Sequence, residues 1–202
     1  MTRAAAQRAD LYQIQFAGRR GREQHAACAR VFYDFRHTAD FEKKFRIVDS
    51  SKISDIPSKS RIVFVDDLIG TGRQSAEYIE KRLFKLLSPS HRPCLFSICG
   101  TPSGIKYVTE KSGFDVICAC ELKEEVYDHF HPSNQCFTDS EKGKMKFLNS
   151  LLGKNDYEIG LLIAFYYGTP NNTMPFIWKD GWKYTRVDGD KDNWFALLPR
   201  KF

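Results

Sequence analysis

The chain has 202 residues, 42% of them apolar, 14% aromatic and 28% charged. That length fits one domain, the aromatic content is too high for a disordered chain, and no apolar run reaches the roughly 18 residues that a membrane-spanning helix needs. The net charge of +6 is spread along the sequence rather than gathered in one block, so it suits any polyanion: a nucleotide, a phosphosugar or a nucleic acid.

The first ten residues lack the apolar stretch of a signal peptide, and the expected location is cytoplasmic. Residues 11–16 (LYQIQF) alternate apolar and polar side chains, then come AGRRG and a helically spaced stretch over 22–35, which predicts strand, Gly-containing turn and helix. A second strand is expected over 41–48, and DIPSKS (55–60) is turn chemistry. Residues 61–65 (RIVFV) form an uninterrupted β-branched and aromatic run ending in two acids. Such a run predicts a strand buried on both faces, as inside a parallel sheet. After LIGTG, residues 74–87 place Ala76, Ile79, Leu83 and Leu87 on one helical face, and SPSHRP stops the helix.

The alternation then repeats, with an apolar strand over 94–99, a turn at TPSG (101–104), a short helix over 105–111 and another buried strand over 114–120. Strands and helices at this spacing predict an α/β domain, a mainly parallel sheet flanked by helices and joined by right-handed crossovers. Residues 127–146 read as a long loop, and 144–152 and 157–167 as helices. Residues 168–202 carry all three Trp among many Gly, Pro, Asn and Asp, and predict a loop-rich cap over one edge of the sheet. With no internal repeat, residues 1–202 read as a single domain.

Six cysteines (Cys28, Cys94, Cys99, Cys118, Cys120 and Cys136) form no CxxC pair, and four of them lie in apolar runs, so reduced thiols in the core are expected. His129, His131 and Cys136, with Cys118 and Cys120 upstream, offer donors for a zinc site at an unusual spacing; a pair of solvated loop histidines is the commoner outcome.

The segment 65–74 reads VDDLIGTGRQ. Gly70 and Gly72 let backbone amides converge on a phosphate, Thr71 adds a hydroxyl, and the helix that follows brings the positive end of its dipole. Asp66 and Asp67, adjacent at a strand end, are acceptors for sugar hydroxyls and point to opposite faces if extended. The structural alternative is a strand-turn-helix with a capping threonine and solvated acids.

Residues 65–72 resemble, position by position, the phosphoribosyl pyrophosphate (PRPP) motif of type I phosphoribosyltransferases: apolar strand, two acids, small or apolar residues, then Thr-Gly. Arg73 and Gln74 stand where that family has a small residue and a threonine, and Ser75 is the nearest hydroxyl. With GTPNNTMPFIW (168–178), Trp182, Trp194 and LLPR (197–200), the chain is similar to the phosphoribosyltransferase-like family of bacterial conflict and anti-phage systems, some retron effectors included.

The resemblance implies a type I phosphoribosyltransferase-like fold in which Asp66 and Asp67 fix the ribose, and Gly70, Thr71, Gly72, Arg73, Gln74 and Ser75 surround its 5-phosphate. Arg19 and Arg20 would meet the pyrophosphate or belong to an ordinary basic turn, with Mg²⁺ carried in by the pyrophosphate. Asn171, Asn172 and Thr173 would lie over the same strand ends, facing a base or pyrophosphate, with Trp178 and Trp182 as a stacking wall or as core aromatics. Three functional classes follow. One is a transferase that displaces pyrophosphate at ribose C1. Another is a PRPP or nucleotide sensor, working without turnover on a defence-system protein and open to oligomerisation. The third is a nucleic-acid-binding component of a defence complex.

Overall fold

The computed structural model describes residues 50–152, 159–165, 168–170, 172–186 and 188–199, together with the backbone of two earlier strands; of Trp182 it describes the backbone alone. Five parallel strands make one sheet: β1 (Leu11–Gln15), β2 (Phe45–Val48), β3 (Arg61–Ile69), β4 (Arg92–Gly100) and β5 (Asp115–Glu121). Their order is β2-β1-β3-β4-β5. The chain thus switches direction across the sheet between β1 and β3, and open α/β sheets bind ligands at the carboxyl ends of strands at such a point. The α/β class expected from the alternating pattern is the class observed.

β3 is central because its run Ile62 to Ile69 is apolar enough to be covered on both sides. Ile62, Phe64 and Leu95 pack with Ile79, Leu83, Val108 and Phe114 in the main core cluster. Helix α1 (Arg73–Tyr78) passes directly into one π turn (Ile79–Leu83), where the Phe84 amide donates back to Ile79 at 3.0 Å. Ala76, Ile79 and Leu83 are buried and Leu87 packs on the same cluster, so the predicted apolar face holds.

Five expectations change. TPSG is the start of a helix rather than a free turn: Thr101, extended, accepts from the Gly104 amide at 3.1 Å, Pro102 occupies the first turn, and α2 (Pro102–Ser112) ends at Gly113 with φ 66°. This is N-cap and C-cap chemistry at its preferred residues. β5 is not buried but forms the sheet edge, with Ile117 53% exposed, because an apolar run does not reveal a strand's place in the sheet. Cys94 is accordingly buried, Cys99 and Cys118 are half-buried and Cys120 and Cys136 exposed, so only part of the expected core thiols lie in the core; Cys28 lies outside the described residues.

The helix read over 144–152 begins earlier, at α4 (Asp139–Leu152), inside the predicted loop. Thr138 and Glu141 form a capping box: the Glu141 carboxylate accepts from the Thr138 amide at 2.8 Å and the Thr138 hydroxyl accepts from the Glu141 amide at 3.3 Å. Residues 157–158 of the other expected helix lie outside the described residues, and 159–165 are extended, with Leu161 bridging both Asp128 and Thr173. Short helices α3 (Glu124–Tyr127) and α5 (Pro175–Trp178) and an antiparallel hairpin of β6 (Trp182–Thr185) and β7 (Lys191–Trp194) complete the described elements. Among the described residues no helix is long and apolar enough to cross a membrane.

Candidate anion and sugar site

The acids lie inside β3, which runs two residues beyond Asp67. Their row of the sheet is irregular. Asp66 pairs with Ser97 and Leu68 with Cys99, while β4 and β5 pair Ser97 with Cys118 and Cys99 with Cys120; the row through Asp67, Ile98 and Ala119 is skipped on all three strands. Side chains bond their own strands there: the Asp67 amide donates to Asp66 Oδ1 at 3.0 Å, and Ser97 Oγ to the Cys99 carbonyl at 2.5 Å. Phe64 and Ile69, five apart, consequently share one core cluster, which strict alternation would forbid.

The acids stay in contact at this break, their side chains hydrogen-bonded to each other. Asp66 turns toward α1, where Oδ2 accepts from Ser75 Oγ at 3.0 Å, and Ser75 itself is buried. Burial, and next the Asp67 charge, push the Asp66 carboxyl from 3.8 up to about 7, against the opposing pull of the Ser75 hydroxyl and the Asp67 amide. Asp67 acts on Cys99, whose thiol is pushed up to about 11, first by burial, then by Cys120 and Cys118 and last by Asp67. Cys99 packs beside Leu68, Leu122 and Leu161.

After β3 the chain turns through residues 70–72, and this turn is welded to the start of α2. Thr101 Oγ1 donates to the Gly70 carbonyl at 2.6 Å, and a Cβ added to Gly104 would overlap that same carbonyl oxygen. Gly72, at φ 73°, has a left-handed backbone, and a Cβ there would overlap the Gly104 carbonyl. The amides of Thr71 and Gly72 donate to no backbone carbonyl among the described residues, and the Thr71 hydroxyl accepts from the Arg73 amide at 3.5 Å. Arg73 and Gln74 are exposed on the first turn of α1.

The C-terminal segment reaches this turn. A Cβ on Gly70 would stand 2.5 Å from Asn172 Nδ2, so the Asn172 amide lies directly against the Gly70 backbone. Thr173 does not share that role: it is fully buried, its hydroxyl donates to the Ile163 carbonyl, and its own carbonyl accepts from Trp178 Nε1 at 2.8 Å. Thr173 and the Trp178 indole N–H therefore hold the segment in place instead of facing a ligand. Arg19, Arg20, Asn171 and the Trp182 side chain lie outside the described residues.

The histidine and cysteine candidates are arranged otherwise. The His129 ring meets the edge of Phe137, His131 Nδ1 accepts from the Ser133 amide, and the buried Lys142 donates to the His131 and Asn134 carbonyls. Among the described residues no group of three or more His, Cys, Asp or Glu side chains could hold a metal ion.

Sequence reasoning passed over Ser97, Thr101 and Gly104. Ser97 carried a signal, as the polar residue inside the apolar run CLFSIC. Gly104 carried none, because its role depends on a carbonyl thirty-four positions earlier.

A parallel sheet with two acids and a Gly-Thr-Gly turn at its switch point is the architecture of a type I phosphoribosyltransferase-like protein. The chain matches the PRTase-CE family over residues 13–200 and belongs to that family. Curated proteins supply no match to the sequence. Among solved structures, the orotate phosphoribosyltransferase of Mycobacterium tuberculosis H37Rv, in complex with inorganic phosphate, is 11% identical with a TM-score of 0.35, over 58% of this chain and 63% of that one. The adenine phosphoribosyltransferase of Thermoanaerobacter pseudethanolicus is 16% identical with a TM-score of 0.27, over 57% and 72%. The purine phosphoribosyltransferase of Pyrococcus horikoshii Ot3 is 14% identical, also at 0.27, over 57% and 70%. Likenesses this slight add nothing to the assignment, which rests on the family match.

Proposed function

We propose that the chain binds the ribose 5-phosphate portion of PRPP or of a nucleotide at the 70–72 turn. The observation that carries this reading is the 70–72 turn at the switch point of the sheet, with the Asn172 side-chain amide against Gly70 and the Thr71 and Gly72 amides donating to no backbone carbonyl among the described residues. Backbone amides at the start of a helix suit a phosphate, and carboxylates at a strand end suit ribose hydroxyls. Arg73, Gln74, Arg19, Arg20 and Asn171 complete the proposed lining.

As a transferase, the protein would displace pyrophosphate at ribose C1, with position and charge as its contributions. A magnesium ion would arrive with the pyrophosphate. Binding without turnover is the second reading, favoured by the engagement of Asp66 with Ser75. A role as an effector in anti-phage defence rests on the likeness of the VDDLIGTG and GTPNNTMPFIW segments to that family.

A thermal-shift panel of PRPP, nucleoside monophosphates and inorganic phosphate, with and without Mg²⁺, followed by product analysis, tests these readings. Stabilisation by PRPP without pyrophosphate release supports a sensor, release supports a transferase, and no stabilisation by any ribose 5-phosphate ends the proposal. A phage challenge of cells carrying the wild type or Asp67→Asn tests the defence role, which fails if both protect equally.

A further inference from the structure

The Asp66 carboxyl, one of two adjacent acids at the end of a strand, is held by the protein on both of its oxygens. Asp66 Oδ1 accepts from the Asp67 amide and Oδ2 from the Ser75 hydroxyl, both at 3.0 Å, so each oxygen has a donor from the protein itself. Ser75 sits on the buried side of the first turn of α1, next to Ala76, and is only 5% exposed. Its hydroxyl is turned away from solvent and toward β3.

We propose that Ser75 is a positioning residue that holds the Asp66 carboxyl against α1 and so sets the arrangement of the acid pair that a sugar would meet. Ser75 then contributes nothing directly to the phosphate, which revises the place it takes in the motif. The groups facing Asp66 are Asp67 on its own strand, Ser75 on α1, and its register partner Ser97 on β4, whose hydroxyl is engaged by the Cys99 carbonyl. Among these Asp67 carries the charge. Donation from Ser75 favours the ionised form of Asp66, opposing both burial and the Asp67 charge. Removing the hydroxyl must therefore move the Asp66 titration to higher pH, a sign that generic loosening of the helix would not produce, since added water lowers a desolvated acid.

That the acid pair meets a sugar rests on the ribose-phosphate reading above; the brace on Asp66 does not. The test accordingly has two arms on the full chain. In the first, carbon-13 carboxyl NMR follows Asp66 across pH in the unliganded wild type, Ser75→Ala and Ser75→Thr. The alanine variant should titrate higher by about one unit and threonine should restore the wild-type curve, one unit being about 1.4 kcal/mol. In the second, calorimetry with PRPP and Mg²⁺ should show binding weakened about tenfold in Ser75→Ala and recovered in Ser75→Thr, the loss expected for one hydrogen bond to a charged group. Ser75→Cys, similar in size and a weak donor, replaces alanine if that variant does not fold, and should shift upward by less. An Asp66 titration that is unchanged or lowered in the alanine or cysteine variant overturns the proposal. Wild-type protein that ignores PRPP while the NMR shift appears leaves the brace standing and refutes the ribose-phosphate site.

Discussion

Asp66→Asn should change the pH dependence of stability in a defined direction. The folded-state carboxyl is raised from 3.8 to about 7 by burial and by Asp67, so between those values the native state holds a proton that the unfolded chain has released. Stability contributed by the protonated group is whole below the unfolded value and is lost as pH rises toward 7. Integrating the linkage between pH 5 and pH 8 gives a loss of about 2–3 kcal/mol, trimmed to about 1–3 because the half-buried site admits some water. In a chain of this length that is roughly 2–10 °C in Tm. Asparagine keeps an acceptor for the Asp67 amide and offers an N–H to Ser75 Oγ, so packing survives. Urea unfolding of wild type and variant at pH 5, 6, 7 and 8 reads the effect, since titrations away from the Asp66–Asp67 pair are shared. The variant should gain on the wild type as pH rises; curves that run parallel would refute the assignment of a buried, protonated Asp66.

Asp67→Asn should reduce PRPP affinity by at least about tenfold while leaving Tm unchanged or slightly raised, because the partner charge on Asp66 is relieved; isothermal calorimetry and a melt on the same samples check both halves. Gly104→Ala drives a methyl into the Gly70 carbonyl, and should destabilise the chain by about 3 kcal/mol or more in urea unfolding. Thr101→Val removes the cap of α2 and leaves the Gly70 carbonyl and Gly104 amide without their partner, a loss of about 2–3 kcal/mol by the same measurement. Thr138→Ala, in the α4 capping box, should cost about 1 kcal/mol and leave ligand affinity untouched.

Much of the fold was legible because its signals are local. The run RIVFV can only be covered on both faces, the spacing of Ala76, Ile79 and Leu83 can only face one way, and the Gly-Thr-Gly turn marks backbone freedom by composition alone. Misreadings arose where local chemistry was ambiguous or its meaning lay elsewhere. Thr101 and Pro102 favour a turn and a helix start equally well until Gly104 closes the cap, and the apolar run of β5 reads as buried although nothing beyond it in the strand order covers it.

Residue order alone thus determined a parallel α/β sheet, the strand that carries the acids and the turn that follows it, since periodicity and glycine placement act over a few neighbouring residues. Which acid turns inward was decided by tertiary structure. The skipped row shared by β3, β4 and β5, the Ser75 hydroxyl nine positions away and the Asn172 amide against Gly70 all come from segments distant in sequence. Hydrogen bonds and close contacts form between surfaces that only packing brings together, and no local pattern encodes them.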